Sequence, residues 1–352
     1  MVLRRRQPPT SNLRVPPPRP PDVARRHAGV LELASLLPPP VVWVLGGGGA
    51  HGAVQLGTLQ AVSETDLRPH QVIGSSAGAL TGAVIAEDPV SAVNRLSYLW
   101  AAIDLTDIVS GGWTSLVSPA NLTRPSLADS AGERASLEEV YAAREFTDLL
   151  LPFAAVATDM ISGQPALFDS GPLIDALLAS SAIPGVLPPV QIDGRWYIDA
   201  LASANLPASL GMRLGAGSLV VFDTGTSSER VAGSGLTQLV PALNNLLARR
   251  QRESSLTQAA HHLPVIYLPT PTGLAGTLRF KDSLGTARAA YELAQAFLID
   301  LATAYRGRKV PLSRGLYARP DALDVHHPSV GKCLRPVLPT TVDAGAGEQE
   351  AP

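Results

Sequence analysis

GGGGAHG at residues 46–52 and GSSAG at residues 74–78 are the two most informative stretches of this chain. Each follows a short apolar run and precedes a segment with helical periodicity, so each is expected at a strand-to-helix turn. Glycines in the first stretch allow backbone N–H groups to approach a substrate without obstruction by side chains. The second stretch is a G-x-S-x-G, which places Ser76 on a tight turn at a helix N-terminus. Together they predict an oxyanion hole followed by a nucleophile.

Apolar runs typical of strands alternate with helical patterns from residue 41 onward. This alternation predicts an α/β fold with three α/β/α layers around a mostly parallel central sheet. The predicted strands are Val41–Leu45, Gln71–Ile73, Phe153–Thr158, Ala166–Phe168, Trp196–Ile198, Ser218–Phe222 and Pro264–Tyr267. The predicted helices are Ala50–Glu64, Ala77–Ala86, Val90–Ala101, Ser136–Leu150, Leu173–Ser180, Leu236–Ser255 and Thr286–Tyr305.

Composition narrows the class of protein. The 352 residues are 45% apolar and 16% charged, with a net charge of −2, so nucleic acid is not an expected partner. The single cysteine, Cys333, excludes an intramolecular disulfide and a cysteine-rich metal site. No run approaches the roughly 18 apolar residues of a membrane span. We therefore expect a cytoplasmic protein, and any contact that it makes with a membrane is expected to be peripheral.

Three regions are expected along the chain. Residues 1–40 contain ten prolines, and residues 1–26 contain seven arginines, which predicts a disordered basic tail. Residues 41–310 form the α/β domain, and residues 311–352 form a largely disordered extension. Residues 104–135 lack clear periodicity, and a loop of this length is either a lid or a variable excursion.

The base that would activate Ser76 has two candidate sources. His261 and His262 fit the Ser–acid–His chain order of a catalytic triad. Asp199 follows a short apolar strand, and a partly desolvated carboxylate can accept the serine proton directly because burial raises its proton affinity. Asp199 taken alone also fits a turn or a helix cap. His51 is expected to be an exposed side chain rather than a base.

Two motifs offer alternative functions. Residues 47–52 match the G-x-G-x-x-G of dinucleotide sites, but the acidic residue expected after the second strand is missing. FDSG at residues 168–171 and FDTG at residues 222–225 look like aspartic-protease turns. A helix-alternating chain in which Asp169 and Asp223 lie only 54 positions apart does not suit a two-lobed β protease. Both aspartates are interpreted as turn residues.

Tryptophan and arginine side chains away from these motifs have simple expected locations. Trp43, Trp100 and Trp196 are predicted to be in the core. The arginines at positions 249, 250 and 252 are predicted at a solvated helix end, where cations complement the helix dipole.

The residues resemble the patatin-like phospholipase family in four blocks that occur in order. The resemblance covers residues 40–225 and implies a Ser–Asp dyad with Ser76 as nucleophile and Asp199 as base. It also implies that Gly47, Gly48 and Gly49 donate to the oxyanion, with no metal or cofactor. The blocks are GGGGAHG at 46–52 with Gly57, GSSAGAL at 74–80, SAIPGVLPP at 181–189, and YID at 197–199 with NLP at 205–207.

The implied reaction is hydrolysis of a lipid acyl ester through an acyl-serine intermediate, as in a phospholipase A or lysophospholipase. Two residues depart from the family pattern. His51 stands where the family usually has Arg or Lys, and Ala200 stands where glycine usually follows the aspartate. An alanine in a left-handed backbone at position 200 would cost about 1 kcal/mol or more. A weak or inactive lipid-binding protein and a Ser–His–Asp triad hydrolase therefore remain alternatives.

Overall fold

The structure is a computed structural model that describes residues 31–102, 130–184, 186–225, 236–274, 282–308, 310–321 and 332–338. The first 30 residues of the predicted tail and most of the candidate lid lie outside the described residues. No helix in the described ranges is long and apolar enough to cross a membrane.

A ten-stranded sheet forms the centre of the fold. Its order is β10-β9-β8-β7-β1-β2-β3-β6-β5, with β4 paired to β3. The seven strands from β10 to β3 run parallel, whereas β4 and β6 are antiparallel to β3 and β5 is antiparallel to β6. The strands are β1 Val41–Leu45, β2 Gln71–Ser75, β3 Phe153–Asp159, β4 Pro165–Phe168, β5 Val190–Ile192, β6 Arg195–Asp199, β7 Ser218–Phe222, β8 Pro264–Tyr267, β9 Gly315–Ala318 and β10 Leu334–Pro336.

Helices cover both faces of the sheet because side chains alternate along its buried strands. Trp43 in β1 packs on the face covered by α1, α2, α3, α4, α5 and α8. Val42 and Val44 pack on the opposite face, which α6 and α7 cover. The helices are α1 Ala53–Ser63, α2 Ala77–Glu87, α3 Ala92–Ala102, α4 Ser130–Val140, α5 Leu173–Ser181, α6 Ala208–Arg213, α7 Leu236–His262 and α8 Ser283–Ala304. The predicted three-layer α/β/α fold with a mostly parallel sheet is confirmed.

The carboxyl ends of the parallel strands bring the sequence motifs to one edge of the sheet. Gly46 follows β1, Ser76 follows β2 and Asp223 follows β7, and these strands are neighbours in the order β7-β1-β2. We call this side the carboxyl edge and the opposite side the amino edge. Ligands of open parallel sheets bind outside the carboxyl ends of the strands, so the candidate site lies where the topology favours it.

The segment before β1 differs from the expectation of a disordered tail that extends to residue 40. Leu33 and Leu36 are buried. Asp66 Oδ1 accepts hydrogen bonds from the backbone N–H groups of Leu33 and Ala34, at 2.6 and 2.8 Å. Residues 31–40 therefore pack against the α/β domain, because their leucines supply apolar surface that the proline content concealed.

The far end of the sheet also differs from expectation. The sequence predicted a largely disordered extension after residue 310, but β9 and β10 lie there and continue the parallel sheet. Their sequences, GLYA and LRP, contain glycine, alanine and proline, which are depleted in strands. Strand β5 was missed because the prolines before it and the Asp193-Gly194 pair after it predict turns.

Candidate active site

Ser76 occupies a strained turn between β2 and α2. Its backbone has φ 53° and ψ −127°, a conformation that L-residues rarely adopt. Glycines on either side make this turn sterically feasible. A Cβ added at Gly74 would lie 2.2 Å from the Gly78 carbonyl oxygen, and one at Gly78 would lie 2.4 Å from the Leu45 carbonyl oxygen. The G-x-S-x-G spacing is therefore required by close backbone packing, as the sequence predicted for a tight turn.

Asp199 is the hydrogen-bond partner of Ser76. Ser76 Oγ donates to Asp199 Oδ2 at 2.7 Å, and both side chains are buried. The register of the sheet explains the contact. Ser75 pairs with Val156, and the next residue of β3, Ala157, pairs with Asp199 at the end of antiparallel β6. Strand β3 therefore brings together two residues that are 123 positions apart.

Burial sets the protonation chemistry of Asp199. Desolvation raises the pKa of Asp199 to about 6, while hydrogen bonds from Ser76 Oγ and the Leu201 N–H limit the rise. The Leu201 N–H donates to Asp199 Oδ1 at 2.7 Å, so each carboxylate oxygen has one donor. A carboxylate with a raised pKa is a stronger proton acceptor for a serine hydroxyl than an exposed one.

Two polar side chains fix the backbone around this pair. Ser180 Oγ accepts a hydrogen bond from the Ser76 N–H at 2.9 Å and donates to the Val156 carbonyl at 2.6 Å. Thr158 Oγ1 donates to the Asp199 carbonyl at 2.9 Å. The sequence analysis assigned neither residue a role, since Ser180 ends a predicted helix and Thr158 ends a predicted strand.

The glycine-rich loop after β1 is held by its first residues. The Gly46 N–H donates to the Phe222 carbonyl at 3.0 Å, and the Gly47 N–H donates to the Asn205 carbonyl at 2.8 Å. The Gly47 amide is therefore engaged within the protein, which corrects its predicted role as an oxyanion donor. Among the described residues, none accepts a hydrogen bond from the N–H of Gly48 or Gly49.

The carbonyl of Gly47 is fixed from two sides. Asn205 Nδ2 donates to it at 3.2 Å, and Thr224 Oγ1 donates to it at 2.8 Å. In a trans peptide the C=O and the following N–H point in opposite directions. Asn205 and Thr224 therefore orient the Gly48 N–H away from themselves, so that it is available to a ligand oxygen. Sequence reasoning quoted Asn205 within a family block but assigned it no role, and it missed Thr224.

A buried charged network lies behind Thr224. Arg252 Nε lies 2.7 Å from Asp223 Oδ2, and the Tyr267 hydroxyl donates to the same oxygen at 2.6 Å. Asp223 Oδ1 accepts from the Thr224 N–H at 2.8 Å. The prediction of a solvated Arg252 is wrong, because α7 continues to His262 and buries its guanidinium.

Asp169 is exposed beyond the amino-edge end of β4, so Asp169 and Asp223 do not form a shared acid pair.

The two histidines that the sequence analysis considered for a triad do not contact Ser76 in the structure. His261 and His262 end α7 just before β8 begins, which places them at the amino edge, opposite Ser76. Both are exposed, and His261 Nδ1 lies 2.6 Å from the Thr257 carbonyl oxygen. The triad alternative is therefore not supported by their position. The expectation of an exposed His51 is wrong, since its side chain is 4% exposed.

Ala200 causes no strain after Asp199. It lies in a short 3₁₀ turn, Ala200–Ala202, capped by the Asp199 side chain. Among the described residues, the non-glycine residues with positive φ are Ser76, Asp193 and Asp282, so position 200 does not require glycine. The departure from the family pattern at Ala200 therefore has no backbone cost here.

Glu133 is a second carboxyl group near the pair that the sequence did not single out. Its Oε1 accepts a hydrogen bond from Ser181 Oγ at 3.2 Å. Burial raises the pKa of Glu133 to about 7; the Ser181 hydrogen bond opposes the rise and the charge of Asp199 adds to it. Within the described ranges, no three His, Cys, Asp or Glu side chains are grouped closely enough to hold a metal ion.

Comparison with known proteins gives the class of this domain. The sequence profile of the family "Patatin-like phospholipase" matches residues 43–211, which contain Ser76, Asp199 and the glycine-rich loop. Residues 43–211 therefore form a patatin-like phospholipase domain.

Individual relatives match over the same part of the chain. Patatin-like phospholipase domain-containing protein 7 of Rattus norvegicus is 32% identical over 216 residues, which is 60% of this chain and 15% of the relative. Patatin-like phospholipase domain-containing protein 6 of Homo sapiens is 30% identical over 213 residues, which is 58% of this chain and 15% of the relative. An uncharacterized NTE family protein of Mycobacterium tuberculosis is 31% identical over 177 residues, which is 48% of this chain and 44% of the relative. The chain thus spans 15% of the length of the two animal relatives.

Solved structures give a more distant likeness. VipD from Legionella pneumophila aligns over 76% of this chain and 67% of that chain, with 12% identity and a TM-score of 0.35. The type III effector ExoU aligns over 77% of this chain and 54% of that chain, with 16% identity and a TM-score of 0.35. Likeness at this level does not bear on the chemistry of the site.

Removal of Arg252 should destabilise the protein far more than removal of a surface arginine. Arg252→Met leaves Asp223 as an uncompensated buried charge, and we expect the free energy of unfolding to fall by about 3–5 kcal/mol. Arg250→Met is the matched control, since Arg250 is an exposed arginine on the same helix. That variant should lose no more than about 0.5 kcal/mol. Urea denaturation of both variants measures the difference, and equal losses would contradict the assigned role of the network.

Proposed function

We propose that this domain hydrolyses lipid acyl esters through a Ser76–Asp199 dyad. The observation that carries the proposal is the 2.7 Å hydrogen bond from Ser76 Oγ, on a strained turn, to the buried carboxylate of Asp199. The match of residues 43–211 to the patatin-like phospholipase family supports the class of substrate. The phospholipase A or lysophospholipase type of reaction is the finer form of the proposal.

The first half of the reaction would form an acyl-enzyme. Ser76 Oγ attacks the acyl carbonyl carbon while its proton moves to Asp199 Oδ2. The N–H groups of Gly48 and Gly49 receive the developing oxyanion, and the α2 N-terminus adds a favourable dipole. Collapse of the tetrahedral intermediate breaks the ester bond, and Asp199 returns the proton to the leaving alcohol.

The second half would release the fatty acid. Asp199 takes a proton from a water molecule, which attacks the acyl-serine carbonyl. The same two amides receive the second oxyanion, and the proton passes back to Ser76 as the acyl bond breaks. Asp199 accepts and returns the proton in both halves, so no other acid or base is needed.

The alternative of a lipid-binding protein without turnover rested on Ala200 and His51. The unstrained backbone at Ala200 removes the first reason. His51 lies buried beside the loop, in the turn Gly49–Gly52 that leads into α1. The geometry therefore favours the hydrolase over the binding protein.

Substitution of either dyad residue should abolish hydrolysis. Ser76→Ala and Asp199→Asn are each expected to lower kcat/KM for lysophosphatidylcholine and p-nitrophenyl butyrate by at least about a thousandfold, since nucleophile and base act as a unit. The double variant His261→Ala/His262→Ala should retain activity within about twofold. Circular dichroism of each variant checks that the fold is kept.

Three outcomes would contradict the dyad. Full activity of Ser76→Ala would exclude Ser76 as nucleophile. Loss of activity in the double histidine variant would favour a triad. Binding of lysophospholipid by the wild type without Ser76-dependent turnover would favour the lipid-binding alternative.

The pH dependence should report Asp199. The carboxylate must be ionised to accept a proton, and burial raises its pKa to about 6. We expect kcat/KM for p-nitrophenyl butyrate to fall as pH drops through about 6, and to be about tenfold below its plateau at pH 5. Steady-state kinetics between pH 4.5 and 8 measure this limb.

Glu133→Gln is the control for this profile. The pKa of Glu133 is about 7, so Glu133 is mostly uncharged over the range in which Asp199 ionises. The acid limb should therefore stay near pH 6 in this variant. Disappearance of the limb in Glu133→Gln would assign it to Glu133 and contradict the assignment to Asp199.

A further inference from the structure

Three apolar side chains protrude together beside the candidate active site. Met160 and Ile161, in the turn after β3, are 49% and 83% exposed, and Trp196 in β6 is 47% exposed. The prediction that Trp196 lies in the core is therefore wrong, whereas Trp43 and Trp100 are buried as predicted. We call Met160, Ile161 and Trp196 the apolar tip.

The members of the apolar tip are neighbours across two antiparallel strands. Asp159 pairs with Tyr197, and the next pair outward is Met160 with Trp196, whose carbonyl accepts from the Met160 N–H at 2.9 Å. Residues directly opposite each other in an antiparallel pair project to the same face. Met160 and Trp196 therefore form one contiguous apolar surface, with Ile161 following at the turn.

The turn that presents Ile161 is held rigidly. Asp159 Oδ1 accepts hydrogen bonds from the N–H groups of Ile161 and Ser162, at 2.9 and 2.8 Å. Asp159 Oδ2 pairs with Arg195 at 2.7 Å, and the Gly163 N–H donates to the Asp159 carbonyl at 2.8 Å. These bonds keep Ile161 at the outer end of the turn. Single exposed apolar residues need no explanation, but a fixed cluster does.

The apolar tip lies on the side of the sheet to which the dyad opens. Strand β3 runs parallel to β2, and Val156 in β3 pairs with Ser75. Met160 follows four residues later, which places it about 13 Å beyond the level of Ser75 along the strand. The apolar tip thus projects past the carboxyl edge, in the direction from which a substrate would reach Ser76.

We propose that the apolar tip inserts into a phospholipid surface and orients the carboxyl edge of the sheet toward that surface. This inference rests on the proposed function, because lipid acyl esters are held in such surfaces. Tryptophan, with an apolar ring and one N–H donor, suits the boundary between acyl chains and water. Three partly exposed side chains offer far less area than the roughly 800 Å² that each partner buries in a standard protein interface. A second copy of the chain therefore fits this surface less well than a bilayer does.

The charges beside the apolar tip define the kind of lipid surface. Asp159 and Arg195 form an ion pair and so contribute no net charge. Binding through the apolar tip should therefore need no anionic lipid, and it should persist at high salt. Attraction through arginines of the N-terminal segment would instead require anionic lipid and would weaken as salt rises.

The test compares two exposed apolar positions at opposite edges of the sheet. Ile161→Asp changes the apolar tip. Val90→Asp is the matched control, because Val90 is 95% exposed and follows the end of α2 at the amino edge. The full chain is assayed by flotation with phosphatidylcholine vesicles in 0.5 M salt (on the order of a 4–5 Å Debye length). Hydrolysis is measured on phosphatidylcholine in those vesicles and on dissolved p-nitrophenyl butyrate.

We expect Ile161→Asp to lower vesicle binding and vesicle hydrolysis at least fivefold while hydrolysis of the dissolved ester stays within twofold. Val90→Asp should match the wild type in all three assays. The proposal is overturned if Ile161→Asp binds vesicles as the wild type does, if Val90→Asp loses as much binding, or if wild-type binding requires anionic lipid. It is also overturned if light scattering shows that Ile161→Asp dissociates an oligomer, which would make the apolar tip a protein interface.

The two proposals fail in distinguishable ways. Vesicle binding that depends on Ile161, without hydrolysis of either substrate, would support membrane insertion of the apolar tip and contradict the proposed function. Hydrolysis of the dissolved ester that depends on Ser76, without binding to phosphatidylcholine vesicles, would contradict membrane insertion of the apolar tip and leave the proposed function supported.

Discussion

The backbone of Ser76 is the constraint from which the rest of the site follows. A non-glycine residue at φ 53° costs on the order of 1–3 kcal/mol, and it persists only where its surroundings hold it. Here the turn is fixed by close backbone contact at Gly74 and Gly78 and by the Ser76 N–H bond to Ser180. The conformation directs Oγ toward Asp199 rather than toward the N-terminus of α2. Strand β6 runs antiparallel to β3, and its last residue pairs with Ala157 at the level of that hydroxyl.

The loop opposite Ser76 is positioned by a second set of constraints from other strands. Asn205 and Thr224 hold the Gly47 carbonyl, so the loop depends on the segment after β6 and on the end of β7. The buried pair of Asp223 and Arg252 in turn anchors Thr224 through its backbone. The structure thus links α7, far along the chain, to the orientation of one peptide unit beside Ser76. A buried ion pair is weak evidence for stability, but here it fixes geometry at the candidate site.

The sequence predicted the fold because alternating apolar runs and helical patterns are strong local signals. The glycine motifs marked Ser76 as a candidate nucleophile, whereas Asp199 taken alone also fitted a turn and was paired with Ser76 only through the family resemblance. Hydrogen-bond direction leaves no such signal, so nothing in GGGGAHG showed that the Gly47 N–H is used inside the protein. Arg252 and Trp196 were misplaced for a related reason: helix length and strand pairing decide their exposure, and both depend on contacts distant in sequence. Strands β5, β9 and β10 were missed because they contain or adjoin glycine and proline, which predict turns rather than strands.

Labelling with a fluorophosphonate, followed by tandem mass spectrometry of the modified peptide, tests the central claim most directly. The account predicts one adduct, on Ser76, that forms much more slowly in Asp199→Asn because the hydroxyl then lacks its base. An adduct on another residue, or a labelling rate unchanged by Asp199→Asn, would contradict the dyad.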